Sequence, residues 1–217
     1  MSGLPDVISI GGFPIATQAL SAIAGALVGY LVVGWRGTGV AGRARDLILN
    51  SAIGLLLGAK LIYLLLHPID YWRSPGLLLL FPYGPLALPG AVLGAAVGVV
   101  LSLWRRSDWL QVLDQAAAPL ALAAAVGLLG YRAPGFWAYA PVLGGAAIAA
   151  LFSRGRGEPA GLQTARILLF EACALVLADL ARPTGATVAG ISALQLGAAV
   201  VGTAAWLWSR RLTTSGH

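Results

Sequence analysis

Apolar residues run along the chain in seven blocks, each close to the ~20 residues that a helix needs to cross a bilayer. They are Phe13–Trp35, Asp46–Leu66, Leu86–Trp104, Val112–Tyr131, Phe136–Phe152, Leu162–Ala181 and Ala186–Trp208. A shorter run, Leu77–Phe81, is interrupted by Pro82, Gly84 and Pro85. It predicts a re-entrant or interfacial segment before the third helix, which is tolerated where protein covers its backbone. Glycines recur four apart at Gly25 and Gly29, at Gly54 and Gly58, and at Gly90, Gly94 and Gly98. Such rows let helix backbones approach closely in lipid, so they predict helix packing.

The basic residues between the blocks alternate. The first, third and fifth loops and the C-terminal tail hold Arg36, Arg43, Arg45, Arg105, Arg106, Arg154, Arg156, Arg210 and Arg211. The segment before the first block has none, and the even-numbered loops have only Arg73, Arg132 and Arg182. Positive residues collect on the cytoplasmic side. The pattern predicts an all-α polytopic membrane protein of about seven transmembrane helices, N-terminus outside and C-terminus cytoplasmic. All seven tryptophans fall near block ends, as interfacial anchors do.

Composition agrees: 59% of the 217 residues are apolar and 10% charged, against about a quarter charged in soluble domains. An ordinary cytosolic enzyme, a disordered chain and a disulfide scaffold are excluded. The net charge of +6 fits basic loops on an anionic leaflet better than nucleic acid. No basic residue precedes the first block, so that block reads as a retained span, not a cleaved leader. The single cysteine, Cys173, provides no thiol pair for a disulfide or a metal.

A charge within the membrane is costly and marks a candidate site. Lys60 and Glu171 lie deepest and are candidates for pairing across helices two and six. Asp179 and Arg182, three apart at the outer end of helix six, share a face; the guanidinium there suits a lipid phosphate. Arg166 reads as a snorkelling residue at the cytoplasmic start of helix six. Asp114 reads as a carboxylate in the first turn of helix four, favoured by that helix's dipole. No block contains a histidine, and the sequence shows neither metal-ligand spacing nor a phosphate loop. No metal and no cofactor are expected.

The order of these features resembles prolipoprotein diacylglyceryl transferase, the bacterial enzyme family that moves diacylglyceryl from phosphatidylglycerol to a lipobox cysteine. Ser9-Ile10-Gly11 opens the resemblance. Leu57-Gly58-Ala59-Lys60-Leu61-Ile62-Tyr63 is similar to the family's Gly-Gly-Arg-x-Gly-Tyr on helix two. Tyr83-Gly84-Pro85-Leu86-Ala87-Leu88-Pro89-Gly90-Ala91-Val92-Leu93-Gly94 resembles Gly-Gly-Met-Ser-Phe-His-Gly-Gly-Leu-x-Gly. Asp114 with Ala118-Pro119 looks like Asp-x-x-Ala-Pro, and Asp179-Leu180-Ala181-Arg182-Pro183 like Glu-x-x-Arg-x-Pro. Nearly the whole chain takes part.

The departures fall on polar positions. The motif histidine is Pro89, the Tyr-Gly pair of helix one is Gln18-Ala19, and the arginine four before the helix-six acid is Leu175. The family's Gly-Arg-x-Gly-Asn-Phe reads Gly127-Leu128-Leu129-Gly130-Tyr131-Arg132, and the external head between helices four and five shrinks to Arg132–Gly135. The resemblance implies one membrane domain over residues 1–217 in a bacterial plasma (inner) membrane, crossed several times. It implies a phosphatidylglycerol-like phospholipid as ligand, with Lys60, Tyr63, Arg132, Asp179 and Arg182 around it. A lipoprotein precursor or another membrane protein is a further partner. With these substitutions, transfer is expected to be weak or lost. An active transferase and a small transporter are the alternatives.

Overall fold

The computed structural model describes residues 7–10, 13–35, 39–69, 87–104, 107–130, 136–153, 158–180, 187–188 and 191–214. Within them stand seven helices of 17 residues or more: α1 Thr17–Trp35, α2 Ala41–Leu66, α3 Ala87–Leu103, α4 Trp109–Leu128, α5 Phe136–Ser153, α6 Leu162–Leu180 and α7 Ala193–Thr214. Each coincides with one apolar block. The segment Leu77–Phe81, expected to be re-entrant, lies outside the described residues.

Beside the helices the described residues hold four short strands. Two short antiparallel hairpins precede α1 and α7: β1 Val7–Ile10 with β2 Phe13–Ala16, and β3 Thr187–Val188 with β4 Ile191–Ser192. Val7 stands opposite Ala16 and Ile10 opposite Phe13. Their β-branched and aromatic residues favour extended backbone, so the first and seventh helices begin later than the apolar pattern predicts. Conversely, α2 starts at Ala41, five residues before its block, and carries Arg43 and Arg45 within the helix. Arg and Ala are both strong helix formers, and polarity alone does not mark a boundary.

Packing is inverted relative to a water-soluble protein. Among the described residues, sixteen of the 23 buried apolar ones are alanine, while many large side chains point outward. On α2, Leu49, Ile53, Leu57, Leu61 and Leu65 recur every fourth residue and are 45–68% exposed. Ile23, Leu27 and Leu31 on α1 and Leu93, Val97 and Leu101 on α3 repeat this outward stripe. By length and composition, α2 and α4 are each able to cross a membrane.

The small residues bring the helices into backbone contact. A methyl group built on Gly90 would lie 2.5 Å from the Gly58 carbonyl oxygen, and one on Gly94 would overlap the Gly54 carbonyl. Below them the Asn50 amide donates to Ser102 Oγ at 3.0 Å, and Ser102 donates to the Gly98 carbonyl at 2.8 Å. The ladder sets α2 and α3 antiparallel. Dispersion and weak Cα–H···O contacts act at this separation. On α1, Gly29 meets α4 the same way, 2.9 Å from the Pro119 oxygen for an added methyl. Ser21 donates to the Gly127 carbonyl at 2.9 Å near the other end of that pair.

α4 is the hub. Val112 and Ala116 join Val33, Ala44, Leu47 and Ile48 in a cluster with α1 and α2. Ala118 and Ala121 join Ala147, Ala150 and Ile167 in another with α5 and α6.

Gly94→Ala forces α2 and α3 apart and is expected to destabilise the fold by about 1–3 kcal/mol, the usual cost of overpacking. Gly145→Ala, where an added methyl meets nothing within 4 Å, serves as the control and is expected to be neutral or better. Unfolding of the detergent-solubilised variants measures both, and equal loss for the two would disprove the close contact.

Candidate functional site

The helix directions define two ends of the bundle. The start of α2 reaches the α3–α4 turn, where the Arg43 guanidinium pairs with Asp108. The start of α6 reaches the second turn of α4 through Asp114. At the opposite end, the start of α1 meets the end of α4, with Gly130 packed against Ser21. The last turns of α2 and the first turn of α3 occupy this second end with them.

That second end holds the candidate site. Lys60 and Tyr63, three apart on α2, share a face and are both half-buried. One turn on, His67 stacks against Tyr63 with ring centroids 4.6 Å apart. Pro89, at the position of the motif histidine, lies in the first turn of α3. There its missing N–H removes no helix hydrogen bond. Asp179 is half-buried in the last turn of α6. Arg132 and Arg182 lie outside the described residues, as does the Arg132–Gly135 connection.

Glu171 is elsewhere. Among the described residues no ion pair joins it to Lys60, although pairing was one expectation from the sequence. It lines a cavity of about 260 Å³ between α6 and α7, with Leu168 and Leu175 on its own helix and Gly197 and Val201 facing them. Sequence order alone did not reveal that α6 has α7, and not α2, beside it at this level.

Three charges near the first end have partners that the sequence did not disclose. Asp114 is 4% exposed and sits in the second turn of α4, not the first. Its Oδ2 accepts from the Gly161 N–H at 2.7 Å; its Oδ1 accepts from the Thr164 N–H at 2.8 Å and hydroxyl at 2.7 Å. The carboxylate therefore caps the start of α6, not its own helix, and faces that helix's positive dipole end. Gly161, at φ +94°, turns its N–H toward the carboxylate in a conformation that side chains disfavour. Arg166 pairs with Glu158 at 2.7 Å, so its charge is held locally. Arg45 lies 5.1 Å over the Tyr30 ring, a cation–π contact that joins α2 to α1. An acid or arginine in an apolar window signals a polar partner, but its identity depends on which helices are neighbours. Among the described residues, no group of three His, Cys, Asp or Glu side chains is placed to hold a metal ion.

A family model described as prolipoprotein diacylglyceryl transferase matches residues 5–132, which comprise α1 to α4. The helix-six correspondence Asp179–Pro183 lies beyond that match. A phosphatidylglycerol–prolipoprotein diacylglyceryl transferase of Beijerinckia indica is 30% identical over 146 residues, 61% of this chain and 53% of that protein. Proteins of the same name from Methylocella silvestris and Rhodopseudomonas palustris are 34% identical over 118 residues and 30% over 113. Each match takes in 47% of this chain, and 42% and 40% of the respective relative. The chain spans about half the length of the curated relatives it matches. No solved structure matches it.

Asp114→Ala strands three buried donors at once and is expected to cost about 3 kcal/mol or more. Asp114→Asn keeps one acceptor oxygen and is expected to lose roughly half as much. Denaturant unfolding in detergent reads the difference; an alanine variant as stable as the parent would rule out the capping role.

Proposed function

The chain belongs to the prolipoprotein diacylglyceryl transferase family, and we propose that it is a divergent member that holds a phosphatidylglycerol-like phospholipid while transferring diacylglyceryl weakly or not at all. In this reading residues 1–217 form one membrane domain of a bacterial plasma membrane. It crosses the bilayer seven times, with the N-terminus outside and the C-terminus in the cytoplasm. The outward leucine and valine stripes support the membrane setting. Bare apolar ridges of that extent are unfavourable in water and ordinary against acyl chains.

One observation carries the catalytic half of the proposal. Among the family motif positions, this chain keeps glycines that seat helices and lacks the histidine and two of the arginines that stand beside them. Gly58, Gly90 and Gly94 lie in the α2–α3 contact, and Gly130 lies against α1. Gly127 accepts the Ser21 hydroxyl. Beside them stand Pro89, Leu128 and Leu175 where the family has histidine and arginine.

Transfer of diacylglyceryl to a thiol requires the thiol to lose its proton, and a thiol is mostly protonated at neutral pH. Proline accepts no proton. Leucine stabilises no phosphate charge, and losing one transition-state donor costs on the order of 10²-fold in rate. Binding is less demanding. The Lys60 ammonium, with Tyr63 a turn away, supplies a cation and a hydroxyl at one end of the bundle. Arg132, Asp179 and Arg182 belong to the same end in this proposal, the arginines directed at phosphate oxygens. An active transferase that recruits Lys60, Arg132 or Arg182 is the second reading, favoured by family membership itself.

Native mass spectrometry of the purified chain is expected to find phosphatidylglycerol bound, with Lys60→Ala reducing its occupancy about tenfold. Expression in cells depleted of their own transferase is expected to leave prolipoproteins unmodified. Efficient modification there would establish the second reading, and absence of any bound anionic phospholipid would remove the first.

A further inference from the structure

The cleft at Glu171 lies between α6 and α7, and neither Lys60 nor Tyr63 lines it. Glu171 is the tenth of the nineteen residues of α6, about 13 Å from either helix end at 1.5 Å per residue. Arg166, the cation on the same helix, is taken by Glu158. Around the carboxylate the cavity wall is Leu168, Ala172, Leu175 and the α7 backbone at Gly197. The helices touch farther along, where a methyl on Gly202 would lie 3.1 Å from Ala172 Cβ; at Gly197 an added methyl meets nothing within 4 Å. The pair thus opens into a cleft with its one acid in the floor.

We propose that this cleft docks a transmembrane helix of another membrane protein, one carrying a single lysine or arginine at mid-membrane depth. The inference rests on the membrane setting proposed above. An acidic group in an apolar cleft calls for a cation or donor, because intramembrane charges pair with one another. Depth selects which kind. The amine of a lipid headgroup stays at the interface, about 15 Å from the midplane of a ~30 Å core, so it does not reach Glu171. A basic side chain carried on a helix does. Size agrees: about 260 Å³ is below the roughly 300–1,000 Å³ of sites that engulf a small molecule, but it admits one side chain from a helix laid along the opening.

Cys173 is exposed and is the only cysteine of the chain, so it carries an acceptor fluorophore two residues from Glu171. The labelled full-length chain is reconstituted in phosphatidylcholine vesicles, and its insertion is checked by resistance to alkaline extraction. Three donor-labelled Leu/Ala transmembrane peptides are then titrated, with a lysine at the midpoint, a lysine near one end, or no lysine. The midpoint-lysine peptide is expected to associate at least tenfold more strongly than the other two. Glu171→Gln and Gly197→Leu are each expected to abolish that preference, the first by removing the charge and the second by filling the cleft.

Equal association of all three peptides overturns the proposal, as does a preference that survives Glu171→Gln. Loss of the preference on adding phosphatidylethanolamine assigns the cleft to lipid and overturns it too. Failure to insert overturns the membrane setting and the docking together, whereas insertion without preference overturns the docking alone.

Discussion

The whole arrangement depends on helices approaching to backbone contact. Between α2 and α3 the carbonyl of each glycine lies where the other helix would need a β-carbon, and the same constraint recurs between α1 and α4. Nothing in such an interface gains from expelling water if lipid surrounds it, because acyl chains are as apolar as leucine. The attraction comes from many short-range contacts, each about 0.1–0.2 kcal/mol and steeply dependent on separation. That explains why alanine dominates the interior and why bulky residues are displaced to the rim. It also explains how motif glycines outlast the polar residues they accompany: their role is mechanical and stands independent of chemistry.

Several polar groups in the described interior tie one helix to another. Asp114 ties the start of α6 to α4, Asn50 and Ser102 tie α2 to α3, and Arg45 covers Tyr30. The buried Asp114 carboxyl accepts from three donors, the Gly161 N–H and the Thr164 N–H and hydroxyl. Glu171 contrasts with it. It lies among leucine, alanine and glycine, and its environment calls for a donor that the neighbouring helix does not supply. The two acids look alike in sequence, and only their neighbours distinguish a strut from an open valence.

Much of the helical plan was legible in the pattern of residues. Block length sets helix length, and each of the seven apolar blocks corresponds to one helix, because twenty apolar residues in a row admit few other structures. Ends were less legible. β1–β2 and β3–β4 took residues from two blocks since Val, Ile and Thr suit extended backbone as well as an apolar helix, and Arg43 and Arg45 extended α2 because charge does not stop a helix. Partner choice was not legible at all. Asp114 finds Gly161 and Thr164 some 47–50 positions away, and Glu171 faces α7 instead of Lys60, because adjacency is decided by how all the helices pack. The glycine rows were legible as packing residues, since a four-residue repeat of the smallest side chain has a direct steric meaning.

The Asp114 latch has a bearing on modularity. The stretch that matches the family ends at residue 132, which invites treating α1–α4 as a core with three later helices appended. Yet Asp114, in the second turn of α4, takes the hydrogen bonds of Gly161 and Thr164, beyond that boundary. Cut off at the family boundary, the first four helices would leave that buried carboxyl without these donors. The stretch beyond the match thus holds the hydrogen-bond counterpart of a buried group within it.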